Sequence, residues 1–207
     1  MFWISIKGEV SEKLKNQIVW DEFRKGSKIA LETIYEDNYA SLYHYGQKFT
    51  QDNDLIKDLI HELFIELIDS GLSLSKTDNI RFYLLKSLRN KLLRQLSEKL
   101  KFTNKLKEFV DFNLVDSIES QLIKNEVEEQ LRNQVTTAVK KLSEKQQEII
   151  YLRFYSDISY QEIAILFDVN IQTVRNLMSR AINSLKEDLQ SNNLSKHLIL
   201  FVLNSSI

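Results

Sequence analysis

The 207-residue sequence has no cysteine, no proline and only four glycines. Without cysteine there can be no disulfide, no thiolate metal site and no cysteine nucleophile, so stability has to come from packing. This fits a reducing, cytoplasmic setting. Without proline, and with Gly8, Gly26, Gly46 and Gly71 as the only glycines, almost nothing interrupts helices, and the period-two alternation of half-buried strands is missing too. A glycine-rich phosphate loop and a serine–histidine–acid arrangement are also absent, which argues against an enzyme and against a small-molecule substrate. The longest apolar run, Leu198 to Leu203, falls far short of the roughly 20 residues that a membrane-spanning helix needs. The opening residues, MFWISIKGEVSEK, have neither the basic lead nor the apolar stretch of a secretory signal, so no membrane insertion is expected. What remains is a 43% hydrophobic, helix-permissive chain able to fill compact cores, and the fold class it implies is all-α.

Charges of the two signs nearly cancel in the total but not in the parts. The formal net charge is −1, yet Arg81 to Lys107 holds nine Lys or Arg against the single acid Glu98. The flanking stretches Asp52 to Asp69 and Glu108 to Glu129 are acidic apart from Lys57 and Lys124. Alternating blocks of this kind point to more than one partner, or to one block screening another. Leu55, Ile56, Leu59, Ile60, Leu63, Phe64 and Leu67 recur at helical spacing, and Asp69-Ser70-Gly71 reads as the stop. Apolar stripes predict further helices over Trp20 to Tyr35, Tyr39 to Phe49 and from about Asn79 past Leu96, making a four-helix N-terminal domain. The charge reverses and the apolar spacing loosens beyond Leu96. The reading is therefore two small helical domains, residues 1–96 and 128–190, joined by a linker at 97–127 and followed by an apolar tail at 191–207.

Ser143-Glu144-Lys145-Gln146 and Ser159-Tyr160-Gln161-Glu162 are both capping boxes and mark two helix starts. The second helix, with Ile163, Ala164 and Phe167 inward, is expected to end near Asp168 and Val169, and Asn170 can cap the next. That next helix divides cleanly. Ile171, Val174, Met178, Ala181, Ile182 and Leu185 form one stripe, and Gln172, Arg175, Asn176, Ser179, Arg180 and Asn183 form the opposite one. The polar stripe contains no acid. Its side chains can donate to base edges and phosphates, and a helix fits the major groove of B-form DNA. A solvated helix face explains such a stripe on an arbitrary helix, but two capped helices joined by a tight turn make a helix-turn-helix the better reading.

These residues resemble a known family. Leu142-Ser143-Glu144-Lys145-Gln146-Gln147-Glu148-Ile149-Ile150-Tyr151-Leu152-Arg153-Phe154, then Ser159 to Ala164, Thr173-Val174-Arg175 and Arg180-Ala181, resemble the C-terminal promoter-binding domain of bacterial extracytoplasmic-function sigma factors. Trp20 to Phe23, Leu31 to Tyr35 and Tyr39 to Tyr43 resemble that family's opening helices. The resemblance implies a protein that recruits core RNA polymerase to promoter DNA, with no cofactor or metal and with an anti-sigma factor as a further partner. It implies minus-35 contacts from Gln172, Arg175, Asn176, Ser179 and Arg180. It puts Asp58 to Phe64 on the core-binding helix, with Asp58, His61, Glu62 and Ile65 facing polymerase, although relatives usually carry glutamine where His61 stands and a tryptophan near Ile68. The basic helix then falls on the minus-10 element, with Arg81, Tyr83, Arg89, Asn90 and Arg94 as contacts. By the same analogy Ser70 to Asn79 would pocket a flipped base, and Phe82 and Tyr83 could stack on unpaired bases, though an aromatic pair at a helix start is ordinarily core.

Two other classes fit parts of the sequence. Asp58, His61, Glu62 and Glu66 have a spacing seen in helical metal sites, but a second such motif is missing. A stand-alone helix-turn-helix regulator with a dimerising or sensing N-terminal domain would share the C-terminal half, yet has no use for the acidic helix followed by a basic one. The apolar run of the tail, Leu194 to Ile207, is expected to fold back on the C-terminal domain or to meet an anti-sigma partner.

Overall fold

The computed structural model describes the backbone of residues 2–102, 112–114 and 126–190, and within these the side chains of 13–98, 112–114 and 133–188. Among the described residues all regular structure is helical, and the chain divides into two compact units, Met1–Val110 and Asp111–Ile207. The tail at 191–207 lies outside the described residues.

The N-terminal unit contains α1 (Phe2–Arg24), α2 (Lys28–Gly46), α3 (Asn53–Ser70), a 3-10 turn at Gly71–Ser73, and α4 (Ile80–Phe102). Among the described residues of this unit there are four α-helices, as the stripes predicted, but the first break falls elsewhere. The stripes placed it between Tyr35 and Tyr39, whereas α2 runs unbroken through that stretch and the chain turns at Gly26. The cause is local. Gly26 has φ +92°, its N–H bonds to the Phe23 carbonyl at 2.8 Å, and the Ser27 N–H reaches back to the Glu22 carbonyl at 3.1 Å. This paired closure satisfies carbonyls that the helix end leaves open, and glycine adopts the left-handed backbone without steric cost. Ser27 then caps α2, its Oγ accepting from the Ala30 N–H at 3.3 Å.

α3 ends where its sequence indicates, and a side-chain cap fixes its start. The Asp52 carboxylate accepts from the Leu55 N–H at 3.0 Å, and Gly71 takes the closing position at φ +42°. Ile56, Leu59, Ile60, Leu63, Phe64 and Leu67 are buried, facing α2 and α4. Full burial of each such side chain stabilises by roughly 1.5–3 kcal/mol. Gly46 permits a close approach here, because a Cβ on it would lie 2.6 Å from Ile56 Cγ2. α4 contributes Ile80, Leu84, Leu85, Leu88 and Leu92 to the same core and continues to Phe102, so the first residues expected in the linker are helical.

The C-terminal unit contains α5 (Glu126–Lys140), α6 (Glu144–Phe154), α7 (Tyr160–Phe167) and α8 (Ile171–Gln190). α8 packs against all three of the others. Its buried residues Val174, Met178, Ala181 and Leu185 meet a core that includes Val139, Ile149, Leu152 and Ile163. Part of the expected linker also belongs to this unit. Phe112 and Leu114 are buried, the Leu114 N–H donates to Gln147 Oε1 at 3.0 Å, and Gln147 Nε2 donates to the Leu142 carbonyl at 3.1 Å. The Phe112 ring meets Tyr151 edge-on at 5.9 Å.

Candidate nucleic-acid interface

Both capping boxes of the C-terminal unit are formed. At α7, Ser159 Oγ accepts from the Glu162 N–H at 3.2 Å while the Glu162 carboxylate accepts from the Ser159 N–H at 2.9 Å. At α6 the same reciprocal pair joins Ser143 and Gln146. α7 closes at Asp168 in the left-handed region, φ 53°, with the Val169 N–H returning to the Ala164 carbonyl at 3.0 Å. Aspartate tolerates that conformation better than most side chains. Asn170 follows directly as the α8 cap, its Oδ1 accepting from the Thr173 N–H at 2.8 Å. Three residues thus turn the chain from one helix to the next. Ile163 and Ala164 are buried as expected, but Leu166 fills the third inward place and Phe167 is only half-buried.

The turn fixes which side of α8 faces outward. Gln172, Arg175, Asn176, Ser179, Arg180 and Asn183 are all exposed, and Val174, Met178, Ala181 and Leu185 are buried opposite them. Among the described residues the Arg175 and Arg180 guanidiniums form no ion pair, so both are available to an external anion or base edge. Gln172 Nε2 donates to Asn176 Oδ1 at 3.0 Å, one turn along the same face.

In the N-terminal unit, Asn79 caps α4 by accepting from the Phe82 N–H at 3.0 Å. Tyr83, Lys86, Asn90 and Arg94 recur at helical spacing along one side of α4. Asn90 and Arg94 are exposed, Tyr83, Lys86 and Arg89 half-buried, and Arg81 stands exposed in the first turn. Tyr83 lies against Trp20, centroids 5.0 Å apart, and burial followed by the charge of Glu66 pushes its phenol above the usual range. Phe82 is also half-buried. The segment before α4 is tied down: Trp20 Nε1 donates to the Ser75 carbonyl at 2.8 Å and Arg24 to the Leu72 carbonyl at 3.2 Å.

Lys91 shows why a count of basic residues misleads on this helix. It is 8% exposed, and its ammonium lies 3.0 Å from Glu62 and 2.6 Å from Glu66, on successive turns of α3. Arg94 approaches Glu62 at 3.9 Å. The hydrogen bond from Lys91 holds the Glu62 carboxyl below its ordinary range against a smaller opposing effect of burial. Asp58, His61 and Ile65 form an exposed row on α3, and Glu62 sits at its edge, turned toward α4. Beside this row is a groove of about 840 Å³ lined by Phe23, Leu31, Tyr35, Phe64, Ile65 and Ile68. Ile65 and Ile68 are each more than half exposed.

The sequence counts Lys86 and Lys91 within the basic stretch but singles out neither as a site residue, and it gives no sign of the groove or the Gln147 clasp. The spacing of Lys86 from Tyr83 and Asn90 could have found the first. The others depend on contacts between residues distant in sequence. Among the described residues no three potential metal ligands come together, and no helix is long and apolar enough to cross a membrane.

Residues 132–185 match the family model described as Sigma-70, region 4, a span running from α5 into α8. No curated protein matches the sequence. Among solved structures, the chain is similar to one from the co-crystal structure of the sigma factor RpoE in complex with the anti-sigma factor NepR from Bartonella quintana. The two are 20% identical, with a TM-score of 0.56 over 77% of this chain and 96% of that one. At that identity the likeness is one of fold. It covers more of the sequence than the C-terminal unit alone could supply.

Proposed function

We infer that this chain is a bacterial RNA polymerase sigma factor of the extracytoplasmic-function group, which binds core RNA polymerase and directs promoter-specific transcription initiation. One observation carries the reading: the segment matching sigma-70 region 4 is a capped helix-turn-helix whose second helix exposes an acid-free row of DNA-competent side chains. In the reading proposed here, residues 1–96 are region two, 97–127 join it to region four at 128–190, and an apolar tail follows at 191–207.

Gln172, Arg175, Asn176, Ser179 and Arg180 would meet the minus-35 element in the major groove. Their exposure and the absence of an acid among them support this. The minus-10 element would be met by Arg81, Arg89, Asn90 and Arg94, with Lys86 added from its helical spacing with Asn90. Tyr83 would stack on a base only by giving up its contact with Trp20. Asp58, His61 and Ile65 would face core polymerase, with Glu62 shared between that surface and Lys91. The chain would act by binding, in the cytoplasm, and the polymerase would perform the chemistry. An anti-sigma factor is a further partner, as the similar chain has in NepR.

The test is reconstitution of the full chain with core polymerase. Transcription from defined start sites, lost on adding Asp58→Ala with Ile65→Ala while helicity is retained, is the expected result. A chain that binds duplex DNA yet never co-purifies with core polymerase would be a stand-alone regulator instead.

A further inference from the structure

The Gln172–Asn176 hydrogen bond does more than join two exposed amides. Gln172 Nε2 carries two hydrogens, and one is committed to Asn176 Oδ1 at 3.0 Å. Among the described residues Gln172 has no other side-chain partner, so its second N–H and its Oε1 stay free. When the hydrogen trans to the amide oxygen is the committed one, the free N–H and the carbonyl share an edge. That edge is a donor next to an acceptor. In the major groove adenine presents the complement on a single base, an acceptor at N7 beside a donor at N6, whereas guanine presents two acceptors. Gln172 is also in the first turn of α8, the part of a recognition helix that reaches base edges. A free glutamine amide can swing or flip, and fixing it before binding removes that entropic cost.

We propose that Gln172 reads one adenine of the minus-35 element and that Asn176 is a positioning residue holding its amide in the reading orientation. This rests on the promoter-binding reading of α8. Beyond any contact of its own with the minus-35 element, Asn176 sharpens the preference of Gln172. Arg175 and Arg180, which form no ion pair among the described residues, read other positions or phosphates.

The experiment uses the full chain with core polymerase and a duplex selected by that complex from a randomised promoter library. Every minus-35 base pair is then replaced in turn, and each adenine is also replaced by 7-deaza-adenine, which lacks only the N7 acceptor. The wild type is expected to lose about tenfold to a hundredfold in affinity at one A·T pair, and part of that loss with the deaza base. Gln172→Ala should abolish discrimination there and become indifferent to the deaza base. Asn176→Ala should weaken discrimination at the same pair by a few fold, and Asn176→Asp, which keeps the acceptor, should restore the ratio even as overall affinity drops. Circular dichroism confirms that each variant is folded. If the two alanine variants relax different base pairs, or if the deaza base costs the wild type nothing, the proposal is overturned while promoter binding stands. If the wild-type complex shows no preference for any minus-35 sequence, the reading of α8 itself falls.

Discussion

Replacing Lys91 should cost less than replacing the two carboxylates that hold it. The Lys91 side chain is 9% exposed, whereas those of Glu62 and Glu66 are 45% and 59% exposed. In Lys91→Met the carboxylates can turn to water, and a similar apolar volume replaces a desolvated cation. Exchanges of that kind are often neutral or stabilising. Unfolding free energy should therefore stay within about 1 kcal/mol of wild type. In Glu62→Met with Glu66→Met the ammonium stays in place without its counter-ions. Breaking a fully buried pair costs about 3–5 kcal/mol. Here the acids are partly solvated and the lysine can swing its end toward water, which lowers the expectation to about 2–4 kcal/mol. Urea unfolding followed by tryptophan fluorescence reads this directly, because Trp3 and Trp20, the only tryptophans, both belong to the N-terminal unit. The midpoint should move with little change in slope. If Lys91→Met destabilises more than the double acid variant, the cluster is not a buried cation served by exposed acids, and the reasoning fails.

Four further outcomes follow from the same geometry. Gln147→Ala should cost about 2–4 kcal/mol, because a buried N–H at Leu114 and a buried carbonyl at Leu142 lose their partner. Hydrogen exchange at the Leu114 amide should accelerate, and unchanged protection would show that the clasp is unimportant. Ser159→Ala should destabilise the C-terminal unit by about 0.5–2 kcal/mol in thermal unfolding, while a loss below a few tenths would mean the capping box contributes nothing. Since the Glu62 carboxyl is held below its unfolded value, its contribution is present above the ordinary glutamate range, near about pH 4.3, and is lost as pH falls through the lower folded value. The urea midpoint of the N-terminal unit should drop across that acid window by more in wild type than in Glu62→Gln, and equal drops would exclude the effect. Finally, Arg175→Ala and Arg180→Ala should each weaken promoter binding by about 1–3 kcal/mol with helicity intact, as measured by competition binding of the polymerase complex; unchanged affinity would remove both from the interface.

Local signals were legible wherever the physics is local. A capping box, a glycine stop or an apolar stripe acts within one or two turns, so α3, α6, α7 and α8 could be placed from their own residues. The exposed row of α8 followed from its spacing alone. The missed break at Gly26 was local as well: Lys25-Gly26-Ser27 carries a left-handed closing residue and a cap side by side, but the apolar stripe continues across it. Periodicity reports burial, and two consecutive helices can keep one stripe in register while the chain turns.

The assignment of charge needed the tertiary structure. Sequence counts Lys91 among nine cations of a basic patch, yet packing of α4 on α3 buries it between Glu62 and Glu66 and removes it from the surface. Phe112 and Leu114 look like linker residues because no regular apolar spacing runs through their stretch; among the described residues they meet Gln147 and Tyr151, more than thirty positions away. By itself, then, the sequence determined an all-helical chain and the helix-turn-helix with its acid-free face, since propensity, capping and periodicity are properties of neighbours. Only the tertiary structure decided which of the remaining charged and apolar side chains are left to meet a partner, because burial and ion pairing depend on distances that folding alone creates.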